Sequence, residues 1–163
     1  MKSKILIHTA LTACALTFLT GVSQADHHEP EMLKGKIQQF YANMAQGDFD
    51  AAFDFVSTGT SGYLPNGLLV SIPNDAVKAM VIQGAKADRA AGEISQLYPK
   101  HIDVKMLGTD HAVATYYVEG KATEGDETKH VLNRASLVIG KDGDAWKIVH
   151  WHVSKLERED DGE

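Results

Sequence analysis

An arginine within an otherwise apolar or small-residue stretch is the first feature of this sequence that points to chemistry. Arg134 lies in Val131-Leu132-Asn133-Arg134-Ala135-Ser136-Leu137. A guanidinium group buried in such a strand must meet an anion or several hydrogen-bond acceptors, because an unpaired buried charge is costly. Arg134 is therefore a candidate to hold a carboxylate or enolate oxygen of a ligand. The alternatives are an ion pair with an acidic residue of a helix, or a solvent-facing position at a sheet edge.

Three aromatic residues are candidates to line a pocket. Tyr41, Tyr116 and Trp151 would supply apolar surface with one or two hydroxyl donors, which is the usual composition of a small-molecule site. The alternative is that they belong to the core, as aromatic residues on helical or strand stripes often do. Together with Arg134, they form the predicted ligand-binding set.

Two histidines lie two positions apart on one predicted strand and therefore share a face. His150 and His152 are of a residue type that can bind a metal ion together or form a proton relay. No third ligand has a known position, so structural hydrogen bonding is the better interpretation. The sequence predicts no metal site and no cofactor.

The first 25 residues are predicted to be a secretory signal peptide. Lys2 and Lys4 precede a mainly apolar stretch over 5–22, and Ser23-Gln24-Ala25 supplies small residues for cleavage. The mature protein would then be exported, to the periplasm or outside the cell. It would contain no cysteine, which suits an oxidising exterior.

Three further hypotheses concern this end of the chain. The apolar stretch is near the lower length limit for a retained membrane anchor. Leu11-Thr12-Ala13-Cys14 is similar to a lipoprotein signal, although an apolar rather than polar segment follows Cys14. Cleavage after Ala25 would expose Asp26-His27-His28, which could bind Cu(II) or Ni(II) through a free amine, backbone amides and His28.

Composition and charge narrow the class of protein. The chain has 163 residues and is 44% hydrophobic, which fits one globular domain. Its net charge is −6, and removal of the leader leaves 14 basic against 22 acidic side chains, a net charge of −8. Such a surface repels phosphates, so nucleic acids and anionic membranes are excluded as expected partners.

Hydrophobic spacing predicts three helices. The first covers 32–46 and ends at Gly47, and Asp48 caps a short second helix. The third begins at Asn74 or Asp75 and runs to about position 91, with Gly92 after it. The predicted inward residues are, in order, Leu33, Ile37, Phe40, Tyr41 and Met44; Ala51, Ala52, Phe55 and Val56; and Ala76, Val77, Met80, Val81 and Gly84.

Strands dominate the second half of the chain. The segments 101–106, 112–120, 131–139 and 146–153 are alternating or β-branched runs separated by turn residues. Segment 57–66 is predicted to be a loop and 68–72 an edge strand. Helices followed by an antiparallel meander indicate an α+β fold. Both faces of the last three strands are apolar, so both should be covered. Residues 26–31 are predicted to be loose, and 157–163 a solvated acidic tail.

The end of the chain resembles a known family. Trp146-Lys147-Ile148-Val149-His150-Trp151-His152-Val153-Ser154 follows a Gly-Lys-Asp-Gly turn and is similar to the last strand of SnoaL-like proteins in the nuclear transport factor 2-like superfamily. It looks closest to the association (hub) domain of calcium/calmodulin-dependent protein kinase II. Gly47-Asp48-Phe49 and Arg134 match further family positions, and the resemblance covers 32–156.

The resemblance implies a cone, in which a curved antiparallel sheet wraps a long N-terminal helix and leaves a pocket at the open end. It also implies a homodimer through the outer face of the sheet. The residues that it places inside the cone are Val149, Trp151, Val153, Ala114, Tyr116, Val118 and Arg134. Where the hub has a second pocket arginine, this chain has Val153.

These observations lead to one preferred function and two alternatives. The preferred function is a non-catalytic module that binds a small, mostly apolar organic ligand in the cone. The first alternative is an isomerase, cyclase or dehydratase of the same fold, which would need a carboxylate or histidine base inside the pocket. No predicted inward residue supplies one, and Asp50, Asp54 and Asp75 lie only near helix ends. The second alternative is an oligomerisation domain, which would form large rings.

Overall fold

The computed structural model describes residues 25–156, with side chains from His28 onward. Residues 1–24 of the predicted signal peptide, the Cys14 site and the acidic tail 157–163 lie outside this range, and the side chains of Asp26 and His27 are not described. The copper or nickel hypothesis needs the free amine that cleavage after Ala25 would create, so it stays a prediction. Within the described range, no helix has the length and apolar character needed to cross a membrane.

Helices come first along the chain and most strands follow. The elements are α1 (Ala25–Gln46), α2 (Phe49–Asp54), β1 (Val56–Tyr63), β2 (Leu69–Ile72), α3 (Asp75–Ala90), β3 (Ile94–Met106), β4 (His111–Glu124), β5 (Glu127–Asp142) and β6 (Ala145–Lys155). The strands form one sheet in the order β2-β1-β6-β5-β4-β3. The α+β class and the four-strand antiparallel meander are confirmed.

Helix α1 lies across the inner face of the sheet, as its apolar stripe predicts. Leu33 and Ile37 are fully buried in the core. The helix begins at Ala25 rather than near Met32, so residues 26–31 are helical and not loose. Glu29 forms an ion pair with Lys141 at 3.1 Å, which ties the added turns to the end of β5.

The turn between α1 and α2 has the predicted geometry. Gly47 has a φ of +81°, a conformation that glycine adopts at little cost and that ends helices. The side chain of Asp48 accepts a hydrogen bond from the Ala51 amide at 3.1 Å, which caps α2.

Segment 57–66 is mostly a strand, which corrects the predicted loop. It forms most of β1, which pairs parallel with β6 and antiparallel with β2. The small residues of β1 mark a close approach between elements rather than a turn. A Cβ atom on Gly62 would lie 2.3 Å from the ring of Trp151, so the indole occupies the space that any larger side chain would need.

A bulge in β6 changes which of its residues face the core. Ile148 pairs with Ile139 and His150 pairs with Val138, so Val149 is the extra residue. Trp146 and Ile148 therefore lie on the inner face together with Trp151 and Val153, although strict alternation predicts that they face away. Val149 is exposed, so its expected inward position is wrong.

The outer face of the sheet is uncovered in the single chain. Thr115, Ser136 and His152 form one cross-strand row there, and all three are exposed. The prediction that both faces are covered is therefore wrong for one copy of the chain. Helix α3 also packs loosely: none of its residues is fully buried, and Met80, predicted to face inward, is 72% exposed.

Replacing Gly62 with alanine tests the contact with Trp151. We expect Gly62→Ala to lower the free energy of unfolding by about 1–3 kcal/mol, the usual cost of overpacking a core. Gly84→Ala is the control, because nothing lies within 4 Å of the added methyl group. The control should raise stability by up to about 1 kcal/mol through helix propensity. Urea denaturation measures both, and equal effects would contradict the contact.

Candidate functional site

A cavity of about 240 Å³ lies where the second half of α1 meets the end of α3 and the beginning of β3. An engineered apolar cavity of about 150 Å³ holds a benzene molecule, so this one can hold a single ring with a substituent. Ten residues line it: Phe40, Tyr41, Met44, Phe49, Ala85, Asp88, Arg89, Glu93, Ser95 and Leu97.

One side of the cavity is an apolar and aromatic wall. Phe40, Met44, Phe49 and Leu97 contribute most of it, and they come from α1, α2 and β3. The rings of Phe40 and Tyr41 meet edge to face, with centroids 5.3 Å apart, an arrangement that aromatic pairs favour. Because this wall cannot hydrogen-bond to water, a ligand with an apolar body would be favoured there.

A pair of tyrosine hydroxyl groups forms the polar end of the aromatic cluster. Tyr41 Oη and Tyr116 Oη are 3.3 Å apart, and either atom can donate the hydrogen bond. Burial raises the pKa of Tyr41 and, more strongly, that of Tyr116 above the ordinary value. Both groups therefore stay protonated at neutral pH. When Tyr116 donates to Tyr41, the Tyr41 proton is free for another acceptor.

Arg89 is the cation of this cavity. Its Nη1 donates to the carbonyl oxygen of Ala45, 3.1 Å away, in the last turn of α1, where a positive charge also meets the negative end of the helix dipole. Gly47 makes room for the side chain, because a Cβ atom there would lie 2.5 Å from Arg89 Nε. The carbonyl of Ala45 at the end of α1 and the missing side chain of Gly47 after it thus fix the position of the guanidinium group.

Two carboxylates stand at the rim. Asp88 and Glu93 line the cavity, and both residues are exposed to solvent. Within the described part of the chain, neither forms an ion pair with Arg89. Asp88 and Arg89 were not among the predicted site residues because the expected inward face of α3 ended at Gly84, although the helical spacing of Ala85, Asp88 and Arg89 could have indicated them. Glu93 lies beyond the helix, between α3 and β3, where helical spacing gives no signal.

The structure divides the four predicted ligand-binding residues. Tyr41 lines the cavity and Tyr116 lies directly behind it. Trp151 packs against the core at Gly62 and does not line the cavity. Arg134 is on the opposite face of the sheet, where it pairs with Tyr117 and Ser154, is exposed, and donates from Nε to Ser154 Oγ at 3.0 Å. Its expected inward orientation is wrong.

The two histidines of β6 also lie on the outer face. His150 Nδ1 is 3.3 Å from Ser61 Oγ, and the ring of His152 meets that of Tyr63 edge to face at 5.9 Å. Among the described residues, no three His, Cys, Asp or Glu side chains are arranged to hold a metal ion. The contacts of both histidines are with neighbouring strand residues.

The two tyrosines predict how stability depends on pH. Tyrosines in the unfolded chain ionise near pH 10, whereas the raised pKa keeps Tyr116 neutral in the folded protein at higher pH. The unfolded state therefore loses protons first, and stability falls as the pH rises above about 10. In the double variant Tyr41→Phe/Tyr116→Phe, we expect a smaller fall in melting temperature between about pH 9 and 11. Equal falls in the two proteins would contradict this account.

Comparison with known proteins gives the family. The SnoaL-like domain family model matches residues 34–157, and no functionally curated protein matches. Solved structures share the fold, among them a ketosteroid isomerase-like protein from Erwinia carotovora (12% identity, TM-score 0.67, 81% of this chain and 99% of that one). The association domain of C. elegans CaMKII (17% identity, TM-score 0.61, 82% and 100%) is another. Another similar structure is described as an NTF2-like protein with a cystatin-like fold (14% identity, TM-score 0.61), which is the fold of this chain. Because the family model covers most of the chain, the chain belongs to the SnoaL-like domain family.

Proposed function

We propose that this protein binds a small, mostly apolar organic molecule in the cavity between α1, α3 and β3. The observation that carries the proposal is a cleft of about 240 Å³ that is lined by an aromatic wall and by Tyr41, whose hydroxyl group is paired with that of Tyr116. Concave sites with a mostly apolar wall and a few polar groups are typical of small-molecule binding, so the shape and lining of this cleft support a small organic ligand.

Tyr41 is the group that would orient the ligand. Its hydroxyl proton is free whenever Tyr116 acts as the donor of their hydrogen bond, and the raised pKa of both residues keeps them neutral. A carbonyl or ether oxygen of the ligand can accept that proton. The expected ligand is therefore an apolar ring or short chain with one oxygen acceptor.

An isomerase- or dehydratase-type enzyme is the second candidate, because Asp88 and Glu93 line the same cavity. Such an enzyme needs a carboxylate base that reaches the bound substrate. Both carboxylates belong to exposed rim residues, which favours binding without catalysis. The double variant Asp88→Asn/Glu93→Gln distinguishes the two candidate functions. A binding module would keep its affinity for the ligand, whereas an enzyme would lose its turnover of substrate.

We also propose that the protein is exported and forms a homodimer through the outer face of its sheet. Export rests on the predicted leader, and an intact mass that matches a chain beginning at Asp26 would support it. The dimer rests on the uncovered face, where Tyr63 and Tyr117 are each 43% exposed. Exposed aromatic surface of this kind is typical of interfaces.

A pair of matched probes tests the cavity. Acetophenone and ethylbenzene have nearly the same shape, but only acetophenone offers a carbonyl oxygen. We expect the protein to bind acetophenone more tightly than ethylbenzene. In Tyr41→Phe, the ratio of the two affinities should fall by about two- to tenfold, the value of one hydrogen bond. Calorimetric titration or ligand-observed NMR measures both affinities.

A second pair of variants tests whether the probes bind in this cavity. Ala85 lines it, whereas Ala79 is an exposed residue of the same helix that does not. Ala85→Leu should abolish the binding of both probes by filling the space, and Ala79→Leu should leave it unchanged. Absence of binding to either probe by the unmodified protein, or equal effects of the two substitutions, would overturn the proposal.

Oligomeric state tests the outer-face interface. Ser136→Arg places a charge in the centre of the exposed row without touching the core, and a buried unpaired charge is strongly unfavourable in an interface. We expect light scattering to give a dimer for the unmodified chain and a monomer for the variant. Large rings would instead support an oligomerisation domain of the hub type.

A further inference from the structure

A second and larger concave surface lies at the other end of the sheet, away from the cavity. This groove has a volume of about 1090 Å³ and runs from Pro65, after β1, across the sheet to Tyr98 on β3. We call it the lysine groove, because Lys100, Lys121, Lys129, Lys155 and His130 line it, whereas Glu119 is the one carboxylate among its lining residues.

The charge of the lysine groove is opposite to that of the whole chain, whose net charge is −6. Lys129 pairs with Glu127 at 3.1 Å. The other three lysines of the groove form no ion pair with any of the residues 28–156. Several like charges gathered in one concave surface raise the local positive potential and attract an anionic segment.

The acidic tail leaves the sheet at the edge of this groove. Leu156 lines the groove, and its amide donates to the carbonyl oxygen of Leu132 at 3.0 Å. The next seven positions carry five carboxylates and one arginine, in the order Glu157, Arg158, Glu159, Asp160, Asp161, Gly162 and Glu163.

The length of this tail suits the groove. Three inter-strand spacings separate β6 from β3 in the sheet order, which is about 14 Å. Seven residues can extend by about 23 Å, so carboxylates of the tail can reach Lys121 on β4 and Lys100 on β3. Because the tail is attached at the edge, its local concentration at the groove is far above that of any free anion.

We propose that the lysine groove binds the acidic segment 157–163 of its own chain. The tail then neutralises the positive groove and prevents other anions from entering it. The contact is electrostatic and exposed to solvent, so high salt weakens it. This inference does not depend on the function of the cavity.

Zero-length carbodiimide cross-linking of the full chain, followed by mass spectrometry, tests the contact. We expect amide bonds between tail carboxylates and Lys100 or Lys121 in the monomer-sized species at low ionic strength, and severalfold fewer in 1 M salt. Lys105 is the control, because it is an exposed lysine of β3 that does not line the groove. Equal cross-linking of Lys105, or cross-links only between two chains, would overturn the proposal.

A binding measurement supplies the second readout. The labelled peptide Leu156–Glu163 is titrated against the full chain and against a variant whose five tail carboxylates are replaced by amides. We expect at least severalfold tighter binding to the variant, whose groove has no competing tail, and loss of that binding in Lys100→Gln/Lys121→Gln but not in Lys105→Gln. Equal binding to the full chain and the variant, or no binding to either, would overturn the proposal.

Discussion

The packing of α1 against a curved sheet is the interaction on which this domain depends. Leu33 and Ile37 are fully buried against the inner residues of the sheet, and a helix can be enclosed in this way only if the strands bend around it. Irregular strand registers accompany the bend at three places. They are at Val149 in β6, between Lys100 and Asp103 in β3, and between Val56 and Ser61 in β1. Each breaks the regular alternation that a flat sheet would keep.

The cavity is a consequence of the same packing. The first half of α1 meets the sheet directly, but its second half is also faced by the end of α3, which has no fully buried residue. The space between them stays open at the level of Tyr41 and Met44. Arg89 bridges that gap through the carbonyl of Ala45, so the contact that joins α3 to α1 also places a charged group at the site.

Charge is distributed unevenly over the molecule, so its cavity, its outer sheet face and its lysine groove differ in local charge. The cavity has a neutral interior with charged residues at its rim, the outer sheet face has an uncharged pair, Thr115 and Ser136, at its centre, and the lysine groove is positive in an acidic chain. Long-range electrostatics therefore favours different partners at each surface. A small neutral molecule suits the first, a second copy of the chain the second, and an acidic segment the third.

The sequence by itself determined the features that depend on near neighbours along the chain. The apolar stripe of α1, the glycine turn at Gly47 and the antiparallel strands follow from spacing and local geometry, and the family follows from the motif of the last strand. The outward position of Arg134 could also be predicted, since it alternates with the apolar residues Ala135, Leu137 and Ile139, which would then share the core face. Only the tertiary structure decided the bulge at Val149, the strand at Gly62 and the meeting of Arg89 with α1. Each depends on contacts between segments far apart in the chain, which local periodicity does not encode.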